Sequence, residues 1–566
     1  MKTALIAVLV GAVCGYFLDG VQVVPLPREM ATGTSARKVS AGGLALTLDA
    51  EEAVCGAECA AIVKAAFERT LSAGLAAQTP FSRWKLSIHP EFDVAPPAAP
   101  TAGLAELANV RVVFDGSAAD TLPEPGYWSL DDEYYRLVVP EKGDVTVTVK
   151  TAWGTLRAFE TLLQLCEWDH ETAAFSVARL PLDISDYPRF RWRGLWIDAV
   201  RHWLPMSMLK QFIDAMSALK LNYLTLQLAD AQSFPLEIKE YPQLKNSWFT
   251  PKTGYTQEEM ADFIAYARER GIAVNPFLDM PGHAASWRNI GDSVVATCFQ
   301  YLADLHKNYM ENIVALNPAN PKSFEAIDTI TREMAALFKT PILHIGGDEV
   351  DYRCWNNSDE RDAILAYMQK NNIADFRALE GVLDLYMQEQ TFAVNRRPMV
   401  SEEVFDFGFL ANKDVVIHGW KTKEVLEKAV KAGYDIVQSW GYYLDRQDPV
   451  CNDVDCPTYW MWSWTHRTFY SQDLTAGLNL TEEEKSHVLG GLACSFEESV
   501  DDQNLNDRAL SRLQSFAERM WSSEDVVDAQ SIELRSMRQR CLMVRRGISR
   551  AGPLSSDYCE TLDNQQ

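Results

Sequence analysis

The chain reads as an α/β protein: a (β/α)8 barrel that follows a smaller α+β domain. Three observations lead there. From Arg193 onward, apolar runs alternate eight times with amphipathic stretches, the pattern of right-handed βαβ units around a parallel sheet. The runs are near-continuously apolar, as strands buried on both faces must be. Polar or aromatic residues follow every run, and the strand C-termini of such a barrel are where an active site is built.

Residues 1–19 read as a secretory signal. Met1-Lys2 is basic, Thr3 to Val13 is apolar, and small residues come next. That run is short for a membrane span, and no later one is long enough, so no span is expected once the signal is removed. Residues 20–188 form the small non-catalytic domain, with strands at Val110-Phe114 and Tyr135-Val139 and helices around Ala60-Ala77 and Trp153-Trp168. Residues 189–566 form the barrel. Its strands are Gly194-Ile197, Tyr223-Leu228, Ile272-Phe277, Ile342-Ile345, Met399-Val404, Val415-His418, Ile436-Ser439 and Val488-Cys494.

The chain has 566 residues, is 47% apolar and carries a net charge of −25. It is globular, and its charge argues against nucleic acid and anionic membrane surfaces as partners. Eleven cysteines suit an oxidising compartment. Local pairing is open to Cys55/Cys59, Cys451/Cys456 and Cys541/Cys559, and a longer bridge to Cys298/Cys354, while Cys494 reads as a buried thiol. Asn356 and Asn479 open glycosylation sequons, which matter if the chain is secreted.

The barrel is organised around Ile342-Leu-His-Ile-Gly-Gly-Asp-Glu349. Two glycines turn the backbone after an apolar strand. Asp348 and Glu349, as neighbours on extended backbone, point opposite ways, so their pKa values should separate, as acid/base work requires. The other strand ends add Asp198, Arg201 and His202, then Asp230, Asp279 and His283. Glu402 and Glu403 are read on the fifth strand, with Trp420, Trp440, Tyr443, Asp445, Phe496 and Glu498 further on. Carboxylates, one arginine and aromatic rings are the composition of a sugar site. There is no phosphate loop, nucleophile elbow or dinucleotide fingerprint at a strand-to-helix junction. His283, His344, Asp230 and Asp348 could ligate a metal, but an arginine beside them disfavours a cation, and neither metal nor cofactor is expected.

At these residues the chain resembles glycoside hydrolase family 20, the β-N-acetylhexosaminidases, and especially the lysosomal chains. The similar passages are Arg193-Gly-Leu-Trp-Ile-Asp-Ala-Val-Arg-His202, Asp230-Ala-Gln-Ser-Phe-Pro235, Asp279-Met-Pro-Gly-His283, His344-Ile-Gly-Gly-Asp-Glu349, Trp440-Gly-Tyr-Tyr-Leu-Asp445 and Gly490-Gly-Leu-Ala-Cys494. The resemblance implies exo-acting, retaining, substrate-assisted cleavage of terminal N-acetylglucosamine or N-acetylgalactosamine, outside the two-carboxylate scheme. Glu349 would be the acid/base. Asp348 would hold the acetamido N–H and Tyr443 its oxygen. Arg201, Asp445 and Glu498 would bind ring hydroxyls, Trp420 and Phe496 would wall the sugar, and Asp230 and His283 would support Arg201 and the carboxylates. It further implies a glycan or glycoconjugate substrate, a homodimer and a lysosomal or secreted destination.

The chain departs from the family pattern where His-x-His-x-x-Asp-Asp is usual and Thr225-Leu-Gln227-Leu-Ala-Asp230-Ala231 stands instead. Ser401 and Phe496 replace pocket tryptophans. A roomier pocket follows, with reduced rate or altered acyl preference. The alternative reading is a catalytically weakened secreted relative that binds glycans.

Overall fold

The computed structural model describes residues 22–48, 55–78, 103–115, 121–126, 129–169, 174–298, 313–445, 464–548, 550–554 and 559. The expected signal segment, the Cys451/Cys456 pair and Arg446 lie outside the described residues.

A mixed sheet of eight strands comes first: β1 (Glu29–Val39), β2 (Ala45–Leu48), β3 (Glu106–Leu107), β4 (Asn109–Phe114), β5 (Tyr135–Val139), β6 (Val145–Val149), β7 (Glu167–Asp169) and β8 (Ala174–Asp186). Its order is β2-β4-β6-β5-β8-β1-β3, with β7 on β8. Alternating burial in β5 and β6 presents one face to the helix Ala152–Leu165, which Thr151 caps by accepting from the Trp153 and Gly154 amides. The helix expected over Ala60-Ala77 is Ala57–Phe67 followed by a π turn at Glu68–Ser72 and a short helix to Gln78.

The second unit is a closed parallel barrel. Its strands are β9 (Trp192–Asp198), β10 (Tyr223–Ala229), β11 (Ala273–Leu278), β12 (Ile342–His344), β13 (Arg397–Ser401), β14 (Val416–Gly419), β15 (Asp435–Gln438) and β16 (Val488–Ser495). Every residue of β9, β10, β11 and β16 is buried. Leu195, Ile197, Leu224 and Leu226 pack outward into one apolar cluster with the surrounding helices, whereas Trp192, Trp196, Tyr223 and Phe277 belong to another that runs through the barrel interior. Trp192 stacks on Tyr223 with ring centroids 3.6 Å apart and closes one end.

The fifth strand is shorter than the apolar pattern suggests. It ends at Ser401, and Glu402 and Glu403 open the helix Glu402–Phe407 rather than lying on the strand. Two acidic residues in a first helical turn face the positive end of the helix dipole, which an apolar-run criterion does not see.

The two units are joined by buried charge. Arg193 donates from Nη2 to both oxygens of Glu133 at 2.6 Å, and Arg157 donates to the same carboxylate at 2.9 Å. Lys220 Nζ donates to Tyr135 Oη at 2.9 Å and Asp186 Oδ2 at 3.0 Å, and Trp521 donates its indole N–H to Asp186. Disulfides link Cys55–Cys59, Cys298–Cys354 and Cys541–Cys559. Cys494 is a buried free thiol as expected, and so is Cys166.

Candidate active site

At the C-terminal end of the barrel lies a cavity of about 270 Å³. Arg201, His283, Asp348, Glu349, Trp420, Tyr443, Asp445, Phe496 and Glu498 all line it. Asp230 sits directly behind them. The sequence-selected set is therefore gathered at one place.

The two carboxylates owe their presentation to the glycines before them. Gly346 and Gly347 have φ of 76° and 98°. A Cβ on Gly346 would lie 2.8 Å from the Met280 amide nitrogen, and one on Gly347 2.3 Å from Val404. Only glycine satisfies both demands. Glu349 itself holds φ at 49°, a left-handed conformation unusual for a side-chain-bearing residue and typical of functional sites.

Arg201 is the electrostatic centre. Asp198 accepts its Nη1 at 2.7 Å, Asp230 faces Nη2 at 3.0 Å and Glu498 stands 3.7 Å from Nε. Asp198 also accepts the Val200 and Arg201 amides, so one carboxylate fixes both the turn and the guanidinium. Although burial opposes it, these three carboxylates raise the Arg201 pKa well above its ordinary value. Burial works against Asp230 ionising too, but Arg201 and His283 hold its pKa below the usual range.

His283 links the charges. Its Nδ1 lies 3.2 Å from Asp230 and 3.7 Å from Asp279, and its Nε2 is 3.4 Å from Glu349 Oε2. Burial lowers its pKa, yet Asp279 and Asp230 carry it well above 6.5, so the ring is an imidazolium bonded at both ends. Its bond to Glu349 is the first cause holding that carboxylate below its ordinary value. Burial has the opposite effect on Asp348, whose pKa is raised against the pull of His283 and of Ser401. The expected separation of the adjacent pair is present, Asp348 up and Glu349 down, but not by the alternation of an extended strand: β12 ends at His344, and the glycine turn with the left-handed Glu349 parts the two side chains. Asp279 is fully buried, and burial, then Asp348, pushes it well above the carboxylate range.

Across the cavity, Trp420 is held by its backbone and by its ring. Glu402 accepts the Trp420 and Lys421 amides at 2.7 and 2.8 Å, and Glu403 accepts the indole N–H at 2.9 Å. Tyr443 Oη donates to the Trp420 carbonyl at 2.8 Å, while Tyr442 turns away and donates to the Gln472 carbonyl. Between these two neighbours, Tyr443 is the one in the cavity.

Five residues were not legible as parts of the site. Gln227 accepts the Trp196 indole N–H at 3.1 Å and donates to Asp230 at 2.7 Å, so a residue read as a lost support is itself a support. Ser401 donates to Asp348 Oδ1 at 2.7 Å. Trp196, Phe277 and His418 reach the cavity from inside the barrel; their inward parity along the strands was the available signal. The ligand atoms of Asp230, Asp279 and His283 lie within 4.8 Å of one another, a spacing that could hold a cation. Arg201, 3.0 Å from Asp230, already supplies positive charge there.

Comparison with known proteins agrees with this geometry. Residues 190–524 match the glycosyl hydrolase family 20 catalytic domain, and residues 23–165 a domain described as beta-acetyl hexosaminidase like. The β-hexosaminidase subunit beta of Entamoeba histolytica is 36% identical over 502 residues, covering 87% of each chain. The human β-hexosaminidase subunit beta is 31% identical, covering 76% of this chain and 73% of the relative. Among solved structures, a Vibrio harveyi exo-β-N-acetylglucosaminidase superposes with a TM-score of 0.72 at 22% identity, over 94% of this chain and 78% of its own. The chain belongs to glycosyl hydrolase family 20 and is an enzyme of the β-N-acetylhexosaminidase class.

Proposed function

We propose that this enzyme removes terminal β-linked N-acetylglucosamine or N-acetylgalactosamine from glycans with retention, using the substrate's own acetamido group as nucleophile. The observation that carries the reading is the adjacent pair Asp348 and Glu349, with opposed pKa shifts, facing an aromatic and tyrosine wall across a sugar-sized cavity. The acetamido oxygen attacks C1 as the bond to the leaving oxygen breaks. Glu349 protonates that oxygen, and the product is an oxazolinium ion whose N–H is held by Asp348 and whose oxygen accepts from the Tyr443 hydroxyl, which turns to it from the Trp420 carbonyl. Water then adds to C1 while Glu349 takes its proton, and ring opening restores the acetamide.

His283 supports the acid step. His283 Nε2 stands 3.4 Å from Glu349 Oε2, and a sugar that strips water from Glu349 raises its pKa, so that the imidazolium hands its proton to the carboxylate. Arg201, Asp445 and Glu498 bind ring hydroxyls, Trp420 and Phe496 pack on the sugar, and Asp230 keeps Arg201 and His283 in place. No helix among the described residues is long and apolar enough to cross a membrane. The likeness to hexosaminidase chains supports a secretory route to a lysosomal or secreted destination and a homodimer, which light scattering would test.

The test is hydrolysis of chromogenic β-N-acetylglucosaminide and its galacto epimer, with an N-acetylglucosamine thiazoline as inhibitor. Turnover blocked by the thiazoline is expected. Glu349→Gln should cut turnover of natural glycosides by about 10²- to 10⁴-fold while binding persists. Thiazoline binding without wild-type turnover would favour a glycan-binding relative instead.

A further inference from the structure

At the floor of the cavity, where His418 reaches it, and below, the barrel interior holds a polar set that the chemistry above does not use. His344 on β12 and His418 on β14 are 0% and 2% exposed. Their rings meet edge to face with centroids 5.1 Å apart, and His344 Nε2 lies 3.0 Å from His418 Nδ1. The groups at either end fix the direction of this bond. The Gly346 amide donates to His344 Nδ1 at 3.3 Å, so that nitrogen is bare and the proton sits on Nε2. His344 therefore donates to His418 Nδ1, which leaves the His418 proton on Nε2, 2.9 Å from Ser439 Oγ. The Ser439 hydroxyl passes its own proton to the Gly419 carbonyl at 3.3 Å. Each neutral ring is held to one tautomer by its neighbours, and a chain in which every member both accepts and donates is mutually reinforcing.

The surroundings keep these rings uncharged. Trp196 stacks on His418 at 5.3 Å, and Phe277 meets His344 edge-on at 4.6 Å. Ser439 and the Cys494 thiol close the β15 and β16 side, and no carboxylate acts on either ring among the described residues. Burial, then the neighbouring imidazole, carries the His344 pKa well below its ordinary value, and burial pushes His418 down to about 3.

Both ends of the chain are backbone groups that matter to the site. Gly346 begins the turn that delivers Asp348 and Glu349. Gly419 precedes Trp420, whose carbonyl accepts Tyr443. The sheet ladder connects β12 only to its neighbours β11 and β13, and β14 to β13 and β15. The imidazole pair spans β13 and joins β12 directly to β14.

We propose that His344 and His418 are positioning residues: as a neutral, one-way donor chain from Gly346 to Gly419, they set the spacing between the Asp348–Glu349 turn and the Trp420–Tyr443 wall. This rests on the roles of Asp348, Glu349 and Tyr443 proposed above. Spacing matters because an oxazolinium-like transition state is gripped from both sides at once, and a 1 Å misplacement far from the chemistry is enough to lose much of the rate.

Two measurements test it, and they fail independently. In protein labelled with ¹⁵N-histidine, two of the nine imidazoles should show the proton on Nε2 and stay neutral across the window around pH 6.5 in which ordinary histidines titrate. Titration of either ring in that window overturns the proposal, whatever the activity. The second measurement compares His418→Phe, which keeps ring volume and removes both bonds, with His418→Asn, which keeps an acceptor near the Nδ1 position. The Phe variant should lose kcat on the order of 10²-fold and thiazoline affinity by a similar factor, with KM moving less than about threefold, and the Asn variant should recover part of the loss. A merely structural role would lower melting temperature without this kcat-against-KM split. Wild-type kcat and thiazoline affinity in His418→Phe overturn the proposal. A wild-type protein without turnover would instead remove the functional reading beneath it and leave the labelled-histidine result to stand alone.

Discussion

Ser401 shows how much a single hydroxyl can direct. Its bond to Asp348 Oδ1 favours the ionised carboxylate, whose pKa is otherwise pushed up by burial. If ionised Asp348 holds the acetamido N–H, activity rises with pH as Asp348 loses its proton. Ser401→Ala removes a pull that lowers this pKa, so the acid limb of kcat/KM should move to higher pH by about one unit, the value of one hydrogen bond to a charged group. A pH–rate profile reads this directly, and an unmoved limb would leave Ser401 a lining residue only. The same residue marks the limit of sequence reading. Arg201, His283, Asp348 and Glu349 were legible because their type and their place at a strand end already restrict what they can do. Ser401 and Gln227 were legible only as departures from a family pattern, because sequence gives a side chain's donors and acceptors but not the partner a closed barrel brings across to it.

Among the elements, the helix Ala152–Leu165 and the start of β9 are tied through one carboxylate. Glu133 is 1% exposed and pairs with both Arg193 and Arg157, one negative charge shared between two cations. The two guanidiniums hold its pKa down against burial. Glu133→Gln would leave two buried cations without their counter-charge, a loss of about 3–5 kcal/mol by analogy with broken buried pairs. Urea unfolding should show it as a lower midpoint, and an unchanged midpoint would mean that the guanidiniums find other acceptors. The strands themselves were readable because a parallel barrel buries both faces and so writes itself as apolar runs. Their ends were not, since Glu402 and Glu403 are buried by bonding to the Trp420 segment rather than by being apolar.

Over the whole molecule, the interior is unusually rich in carboxyls that prefer to be protonated. Burial carries Glu380 and Glu403 to about 7 and Asp279, Asp384 and Glu497 well above the ordinary range. A carboxyl whose folded pKa is raised stabilises the fold below its unfolded value, near 4, and loses that contribution as pH rises through the folded one. His344 and His418 act in the opposite sense, stabilising above about 6.5 and losing that as pH falls. With Asp348 and Glu402, which burial also raises, seven carboxyls stand against these two imidazoles, and His283, raised by its carboxylates, adds to the first effect, which is dominant. The melting temperature should therefore fall as pH rises from about 5 to about 7, and Glu380→Gln should flatten the slope because its share no longer titrates. A melting temperature that climbs over that range would contradict the assignment. The net charge of −25 adds self-repulsion in the same direction.

The left-handed backbone of Glu349 speaks to whether this pocket is a working machine or a relic. Glycine would occupy that φ without penalty, whereas a glutamate there costs the fold on the order of 1 kcal/mol. On the reading proposed above, placing the carboxylate where it can pass a proton is what offsets that strain.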